Sequence, residues 1–234
     1  FLASTLTPGI SALQFQRQLG LRHYATAHMM LHKIRAGMVN PERDRLVGTV
    51  EVDETYVGGR QRGGKGGRST EGRTAVVGAV EIRTSANGRH YAGRLRLRVI
   101  EGAGPAELTG FVSDHVESGA AVLTDGWHGY MPLLGKGFAH APKVEGRPEN
   151  APRILPVIHR EFANLKTWLQ GTHHGRVERQ HLQAYLNEFC FRHNRRFWKF
   201  TAFQRVLQIG ADVQAPTWRA VYEADEYGRN VHAA

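Results

Sequence analysis

Hydrophobic positions near the start of the chain follow a helical period. Between residues 9 and 35, apolar side chains recur at three- and four-residue steps, and Gly20 interrupts the pattern. Two short helices joined around the sequence LGLRH are therefore predicted. They resemble a helix-turn-helix, and an ordinary helical hairpin that packs on the main domain fits the pattern equally well.

From Arg45 the pattern changes to the short apolar runs and alternation that predict strands. Three segments have this pattern, and they read LVGTVEVDETYV, RTAVVGAVEIR and HYAGRLRLRVIEG. Asn87 and Gly88 separate the second from the third, and Asn-Gly is a strong signal for a hairpin turn. An antiparallel three-stranded sheet is therefore expected.

The second half of the chain is mainly helical. PAELTGFVSDHVESG predicts a helix, AAVLTDGWHGY a short strand that runs into a loop, and residues 135–153 a loop rich in Gly and Pro. Later helices are predicted in VIHREFANLKTWLQG, HLQAYLNEFCFRHNRRF and FQRVLQIG. Three antiparallel strands followed by helix, strand and helix predict an α/β fold with a ribonuclease-H-like mixed sheet flanked by helices.

This order also predicts the domain organisation. Residues 1–44 form a small helical segment, residues 45–212 the ribonuclease-H-like catalytic domain, and residues 213–234 a polar tail. The chain does not begin with Met, so a truncated N-terminus is one expectation. No leader is recognisable in FLASTLTPG, which lacks a basic region and a cleavage-type site.

Charge and composition narrow the class of partner. Lys and Arg number 31 against 21 Asp and Glu, which gives a net charge of +10 and favours a polyanion such as nucleic acid. No apolar run approaches the ~18 residues of a membrane span, so a soluble protein without a membrane partner is expected. Cys190 is the single cysteine, which excludes an internal disulfide and fits a reducing cytoplasm.

Carboxylates lie where buried strand residues are expected. Alternation in the first strand puts Glu51 and Asp53 on one face and Glu54 on the other. A carboxylate held in mid-strand is well placed to bind a hard divalent cation, although an edge strand with solvated acids has the same pattern. Asp125 ends a later strand before Gly126, at a position that suits either a functional group or an Asp-Gly turn.

Four blocks of sequence resemble a known family. VEVDETYVGG, LTDGWHGY, NLKTWLQGTHHG and HLQAYLNEFCFRHNRR are similar, in this order, to blocks of the ISXO2-like bacterial insertion-sequence transposases, and the resemblance spans roughly residues 10–200. It implies a DDE-type, ribonuclease-H-like catalytic domain with Asp53 and Asp125 as the first two acids. The third position, seven residues before Lys166, is His159 here, where the family more often has Glu or Asn.

The third position leaves alternatives. His159 and Lys166 are nearly two helical turns apart, so they share one face at a distance of about 10 Å. Glu161 is rotated from His159 by roughly 200° and is expected to face away, so His159 is favoured over Glu161, and Asn164 is a weaker candidate. Imidazole is a softer ligand than a carboxylate and suits magnesium less well.

The resemblance also implies the chemistry. Mg2+ or Mn2+, as two ions about 4 Å apart, would be held by Asp53, Asp125 and His159 and would promote in-line attack on phosphodiesters. Water would cleave the element end, and the freed 3′-hydroxyl would then join it to target DNA, with Lys166 holding a phosphate. The alternatives are a nuclease of the same fold without strand transfer and an inactive DNA-binding remnant.

Several basic and aromatic residues are expected to contact DNA. The glycine-rich segment 58–73 predicts a flexible loop that becomes ordered on DNA. Its expected DNA contacts are Arg60, Arg62, Lys65, Arg68 and Arg73. Trp127 and His128 follow Asp125 and are expected beside the scissile phosphate.

The segment RHNRRFWKF alternates bases and aromatics. Arg195 and Arg196 are expected to bind phosphate, while Phe197 and Trp198 fit either base stacking or a helix core. The expected partner is double-stranded DNA, both element ends and target. The chain is expected to form a homodimer or larger assembly on that DNA. Its expected location is the bacterial cytoplasm, in association with the nucleoid.

Overall fold

The computed structural model describes residues 1–6, 9–58, 73–143, 154–174 and 177–223. Its internal contacts divide the chain into two units. The sheet unit is Asp44–Lys166, and the helical unit combines Phe1–Arg43 with Thr167–Ala234. The predicted division at 44/45 lies one residue from the first of these boundaries. The later helices, which were predicted to belong to a domain spanning 45–212, group instead with the N-terminal segment.

A five-stranded mixed sheet forms the centre of the sheet unit. Its strands are β1 (Thr49–Val57), β2 (Thr74–Thr84), β3 (His90–Ile100), β4 (Ala121–Thr124) and β5 (Ala139–Pro142). The order across the sheet is β3-β2-β1-β4-β5. β1, β2 and β3 pair antiparallel, whereas β4 runs parallel to β1 and β5 parallel to β4. This arrangement is the predicted ribonuclease-H-like α/β fold.

The turn between β2 and β3 is the one that the sequence indicates. Gly88 has a φ of 78°, a left-handed conformation that glycine adopts without strain, and Ser85 N–H donates to the Arg89 carbonyl at 2.9 Å. The prediction of a loop over 135–153 was wrong in its first part. A 3₁₀ helix (His128–Lys136) and β5 lie there, and residues 144–153 are outside the described residues. β5 is only four residues long and buries only His140, so no apolar alternation marked it.

Two layers of helix cover the sheet. Helix α4 (Pro105–His115) and the 3₁₀ helix bury one face, where Val50 and Val52 of β1 share a core with Phe111 and Tyr130. Helix α5 (Pro156–His173) begins over the opposite face of β1, through contacts described below. The sheet therefore has an apolar core on one side and a polar contact with α5 on the other.

The helical unit contains the end of α5 and six further helices in the described part of the chain. These are α1 (Leu2–Thr5), α2 (Ala12–Gln18), α3 (Tyr24–Ala36), α6 (Arg179–Asn194), α7 (Lys199–Asp212) and α8 (Trp218–Tyr222). Gly20, with a φ of 62°, separates α2 from α3 as the broken periodicity predicts. Ile10, Phe15 and Leu31 pack with Phe191 and Ile209 in the core of this unit.

The tail beyond residue 213 is not only polar. Helix α8 begins at the cap residue Thr217, whose hydroxyl accepts a hydrogen bond from the Ala220 N–H, and Val221 is completely buried. The short helix was missed because a single buried side chain gives no periodicity. Residues 224–234 are outside the described residues. None of the helices in the described part of the chain has the length and hydropathy needed to span a membrane.

Four histidines form a cluster in the helical unit, here called the histidine cluster: His28, His32, His173 and His181. The rings of His28, His32 and His181 lie 4.5 to 5.1 Å apart, centroid to centroid. The ring of His173 stacks on Tyr185 at 4.0 Å. Burial lowers the pKa of each of the four imidazoles, to about 4 for His28 and about 3 for His173.

A buried ion pair adjoins this cluster. Arg35 Nε donates to Glu188 Oε2 at 2.8 Å, and both side chains are only 3% exposed. The guanidinium also lies over the Tyr185 ring at 4.6 Å, and its charge helps to lower the pKa of all four histidines. A buried ion pair therefore lies beside these uncharged rings.

Candidate active site

Glu51 in β1 connects the sheet to helix α5. Its carboxylate oxygen Oε2 accepts hydrogen bonds from the backbone N–H groups of Val157, at 2.9 Å, and Ile158, at 2.8 Å. These are N–H groups of the first helical turn, which have no partner within the helix, and a carboxylate there also complements the helix dipole. Burial raises the pKa of Glu51, and the two N–H bonds oppose that shift. Glu51 thereby fixes where α5 begins.

Asp53, two residues further along the same face of β1, contacts the next residue of that helix turn. Its Oδ2 lies 3.3 Å from Nε2 of His159, and the Asp53 side chain is 10% exposed.

Asp53 pairs with Gly78 of β2 across the sheet. A Cβ atom on Gly78 would lie 2.7 Å from the Phe162 ring of α5, so glycine permits the close approach of helix and sheet.

The protonation of Asp53 is strongly perturbed. Burial, as the largest cause, together with the negative charges of Glu54, Asp125 and Glu51, raises the pKa of this carboxyl from 3.8 to about 8. These four carboxyls, Glu51, Asp53, Glu54 and Asp125, are called the acid cluster below. Like charges gathered in a buried place are costly unless protons or cations neutralise them.

Glu54 lies on the opposite face of β1, as alternation predicts, and it has a partner that the sequence did not reveal. Tyr130 of the 3₁₀ helix donates its hydroxyl hydrogen to Glu54 Oε2 at 2.6 Å. Burial raises the pKa of Glu54, and burial together with Glu54 raises that of Tyr130 well above 10. Their separation by 76 residues explains why no local pattern pointed to the pair.

Asp125 follows the last residue of β4 and is exposed to solvent. Its Oδ1 accepts the backbone N–H of Trp127 at 2.9 Å, and Gly126 between them has a φ of 86°. The turn-forming role that an Asp-Gly pair suggests is therefore present. The carboxylate also raises the pKa values of Asp53 and Glu54, so its charge acts on the acid cluster.

Trp127 and His128 form the first part of the segment that leaves β4. The Trp127 indole N–H donates to the Ala103 carbonyl at 3.1 Å, and its ring lies 4.0 Å from that of His128. Both side chains are exposed. They are thus held directly after Asp125, at the predicted edge of the site.

His159 and Lys166 both respond to the acid cluster. Burial and the Lys166 charge lower the pKa of His159, and Asp125 opposes the shift. Partial burial and the Arg73 charge lower the pKa of Lys166, and Asp53 opposes it. Electrostatic interactions therefore link four predicted residues, Asp53, Asp125, His159 and Lys166, with Arg73 at the start of β2.

The two alternatives to His159, Glu161 and Asn164, form a hydrogen bond with each other. Asn164 Nδ2 donates to Glu161 Oε2 at 3.2 Å, within one turn of α5. Glu161 is buried at 5% exposure. For His159, a contact with Asp53 is observed at 3.3 Å.

The structure does not test the remaining predicted DNA contacts. Arg60, Arg62, Lys65 and Arg68 are outside the described residues. Arg195 and Arg196 belong to the helical unit, where each guanidinium covers an aromatic ring, Phe191 at 4.1 Å and Phe197 at 4.5 Å respectively. They therefore belong to a different unit from Asp53.

The donor chemistry can be compared with that of a divalent metal. Asp53 and Asp125 offer carboxylates, which suit Mg2+ and Mn2+, and His159 offers an imidazole, which suits Mn2+ better. The raised pKa of Asp53 reflects burial first and then repulsion from neighbouring carboxyls, and a cation would offset both. Within the residues that the structure describes, no three His, Cys, Asp or Glu side chains already form a group that could hold a metal ion.

Comparison with protein families identifies the family of this domain. The ISXO2-like transposase domain matches residues 45–194, more than half of the chain. This range begins just before β1 and ends with the last residue of α6. No curated protein matches the chain.

Proposed function

The chain belongs to the ISXO2-like transposase domain family, and from that premise we propose the reaction and the residues that carry it out. Transposition of DNA is the chemistry of this family, and its members generally use divalent metal ions. We propose that this chain cleaves DNA at the ends of an insertion sequence. The freed 3′-hydroxyl is then joined to a phosphodiester of the target DNA.

One observation carries the assignment of residues. The 3.3 Å contact between Asp53 and His159 joins β1 to α5, at a point where the Asp125 charge also acts. Two carboxylates and an imidazole within electrostatic reach of one another make a suitable donor set for divalent cations. When bound, such ions supply charge neutralisation for the attacking and leaving oxygens of an in-line displacement.

The chain's own residues have distinct roles in this proposal. Asp53, held in mid-strand, and Asp125, at the strand end, provide the negative charge, and His159 provides a neutral nitrogen. Lys166 binds a DNA phosphate as a compact positive charge. Glu51 acts through α5 and is a positioning residue.

A proton occupies the site before any cation does. Because the pKa of Asp53 is about 8, its carboxyl is largely protonated at pH 7, and Nε2 of His159 lies 3.3 Å from Oδ2 of this carboxyl. Asp53 would have to give up this proton in order to hold a cation. The proton keeps the buried carboxyl neutral in the cation-free protein.

The proposal is tested with the full chain and a supercoiled plasmid that carries the DNA flanking its coding sequence in the genome. Nicking in Mg2+ or Mn2+ is expected, and Asp53→Asn should lower its rate by about three orders of magnitude, the equivalent of about 4 kcal/mol. Asp114→Asn is the matched control, because Asp114 is 57% exposed and pairs with Arg98 on the surface. An equal loss in both variants, or no metal-dependent nicking by the unmodified chain, contradicts the proposal.

Two further measurements refine the assignment. A precut element end should be joined covalently to target DNA, and nicking without any joined product would identify a nuclease instead. His159→Ala should reduce nicking strongly, whereas Glu161→Gln should retain most of it. The reverse order would transfer the third position from His159 to Glu161.

A further inference from the structure

Three aromatic side chains are exposed where α6 connects to α7 in the helical unit. Phe197 is 67% exposed, Trp198 63% and Phe200 84%. The segment 195–200, called the aromatic turn here, therefore presents apolar rings to solvent where the sequence also allowed a helix core. Exposed rings concentrated within a few residues indicate a surface that binds something.

The charge around these rings has one sign. Between Glu188 and Asp212 the chain carries five cationic side chains and no Asp or Glu, and these five are Arg192, Arg195, Arg196, Lys199 and Arg205. Glu188 itself is buried and paired with Arg35 and with Arg192, and Arg192 also donates to main-chain carbonyls, so the other four cations are the ones that can face a ligand. The aromatic turn is thus embedded in a basic segment, and its complement is a polyanion.

The aromatic turn is held in a defined shape by hydrogen bonds. Trp198 N–H donates to the Arg195 carbonyl at 2.9 Å, and the Thr201 hydroxyl donates back to the Trp198 carbonyl at 2.9 Å. Arg196 Nη1 donates to the His193 carbonyl at 2.8 Å. Buried residues of α7, including Ile209, anchor the following helix. A preorganised backbone loses little conformational entropy when a ligand binds.

We propose that the aromatic turn binds unpaired nucleotides of DNA, with the rings stacking on bases and the cations contacting phosphates. Stacking on aromatic side chains is how proteins hold single strands without reading their sequence. A duplex offers fewer free base faces, because each base is already stacked on its neighbours. A second copy of this surface would bring like charges together. That the nucleotides come from a separated element end rests on the proposed function.

The test compares single-stranded and duplex DNA directly. Binding of the full chain to a fluorescently labelled oligothymidine, and to a duplex of equal length, is measured by anisotropy in EDTA. Trp198→Leu keeps an apolar side chain but removes the large π face, and it should weaken single-strand binding about 5- to 100-fold. The same change should alter duplex binding less than about twofold.

Two controls separate stacking from charge and from general surface effects. Leu207→Ala removes an exposed apolar side chain from α7, 57% exposed, that has no ring, and binding should be unchanged. Lys199→Gln should reduce the slope of log affinity against log salt by about 0.7, the value for one contact with a single strand. Trp198→Leu should leave that slope intact. Circular dichroism verifies that each variant is folded.

Three results would overturn the inference. They are an equal loss of duplex and single-strand binding in Trp198→Leu, unchanged binding in that variant, and unchanged binding with loss of a dimer seen by light scattering. The last result would identify the aromatic turn as a contact between copies of the chain. Because the assay contains no divalent metal, its outcome is independent of whether the acid cluster catalyses cleavage.

Discussion

The acid cluster of the sheet unit and the histidine cluster of the helical unit respond to burial in opposite ways. Burial disfavours the charged form of any group, so it raises the pKa of Asp53 to about 8 and lowers that of His28 to about 4. At neutral pH the buried histidines are therefore uncharged. Asp53 is also largely uncharged, but only because it holds a proton.

The two clusters differ in what would complete them. The neutral rings of the histidine cluster pack against one another, and His28 bonds to the Tyr222 hydroxyl at 2.8 Å. Asp53 instead has three other carboxyls among the groups that raise its pKa, with Glu54 contributing most. Burial of titratable groups is common to both places. Repulsion between like charges also acts in both places. The histidines become neutral by losing a proton, whereas Asp53 is neutral only while it holds one, and a carboxyl can exchange its proton for a cation.

The largest expected effect on stability concerns the ion pair beside the histidine cluster. Arg35→Met leaves Glu188 buried without its closest cation, and this should cost about 3–5 kcal/mol in the free energy of unfolding. Urea denaturation measures the loss. Arg219→Met is the control, since that pair with Glu223 is 3.1 Å long but exposed on both sides, and it should cost under about 1 kcal/mol. Similar losses in both variants would mean that the buried pair is not special.

Divalent metal should stabilise the protein through the acid cluster. At a Mn2+ concentration of about one hundred times the dissociation constant, the free energy of unfolding should rise by about 2.7 kcal/mol, and EDTA should reverse the change. Thermal melts of Asp53→Asn should not respond to Mn2+, whereas those of Asp114→Asn should respond like the unmodified chain. A full response in Asp53→Asn would place the cation elsewhere.

The close approach of α5 to the sheet can be tested at Gly78. Gly78→Ala puts a Cβ atom against the Phe162 ring and should cost about 1–3 kcal/mol as the helix moves away. The contact between His159 and Asp53 should lengthen and the imidazole should become less buried. Because burial is the largest cause of its lowered pKa, the pKa of His159 in an NMR titration should return toward 6.5. Gly102→Ala meets no atom within 4 Å and should leave both stability and titration unchanged. An unaltered His159 titration in Gly78→Ala would show that this glycine does not position the helix.

The last expected effect is the pH dependence, which is small over any one pH unit and has opposite signs in the two units. The unfolded chain loses the Asp53 proton near pH 3.8, whereas the folded protein keeps it until about pH 8. The contribution of Asp53 to stability therefore falls as pH rises through this window. Folded His28 takes up its proton only near pH 4, whereas unfolded His28 does so near 6.5, so its contribution falls as pH is lowered.

Each group changes the free energy of unfolding by at most about 1.4 kcal/mol per pH unit. Hydrogen exchange of β1 and of α3, measured without metal from pH 4.5 to 8, follows the two units separately. Asp53→Asn should flatten the pH dependence in β1 only, and His28→Gln should flatten it in α3 only. A common pH dependence in both elements would contradict the comparison.

Hydrophobic periodicity and turn-forming residues were sufficient to predict most of the fold. Asn87 and Gly88 predicted the β2–β3 hairpin, and alternation in β1 correctly put Glu51 with Asp53 and Glu54 apart from them. Local patterns failed where an element is held by few side chains. β5 and α8 each bury a single residue, His140 and Val221, which is too little to create a detectable period.

At the candidate site, the sequence indicated the residues themselves but not their partners. The acids and His159 were recognisable as types of residue at suggestive positions. Their partners were not, because Glu51 binds N–H groups more than 100 residues away and Tyr130 reaches Glu54 across the fold. The role of Gly78 was also hidden, since an isolated glycine in a strand gives no indication of the ring that approaches it.

The hydrogen bonds from α5 to Glu51 have a consequence for how this site can vary. Both donors are main-chain groups, so the start of the helix is secured without any contribution from the side chain at position 159. Replacing His159 changes the chemical type of the side chain at the third position, while the position of this residue in the fold stays the same. Under the proposed function, a change of one codon at position 159 would therefore alter the metal preference of the site without altering the scaffold.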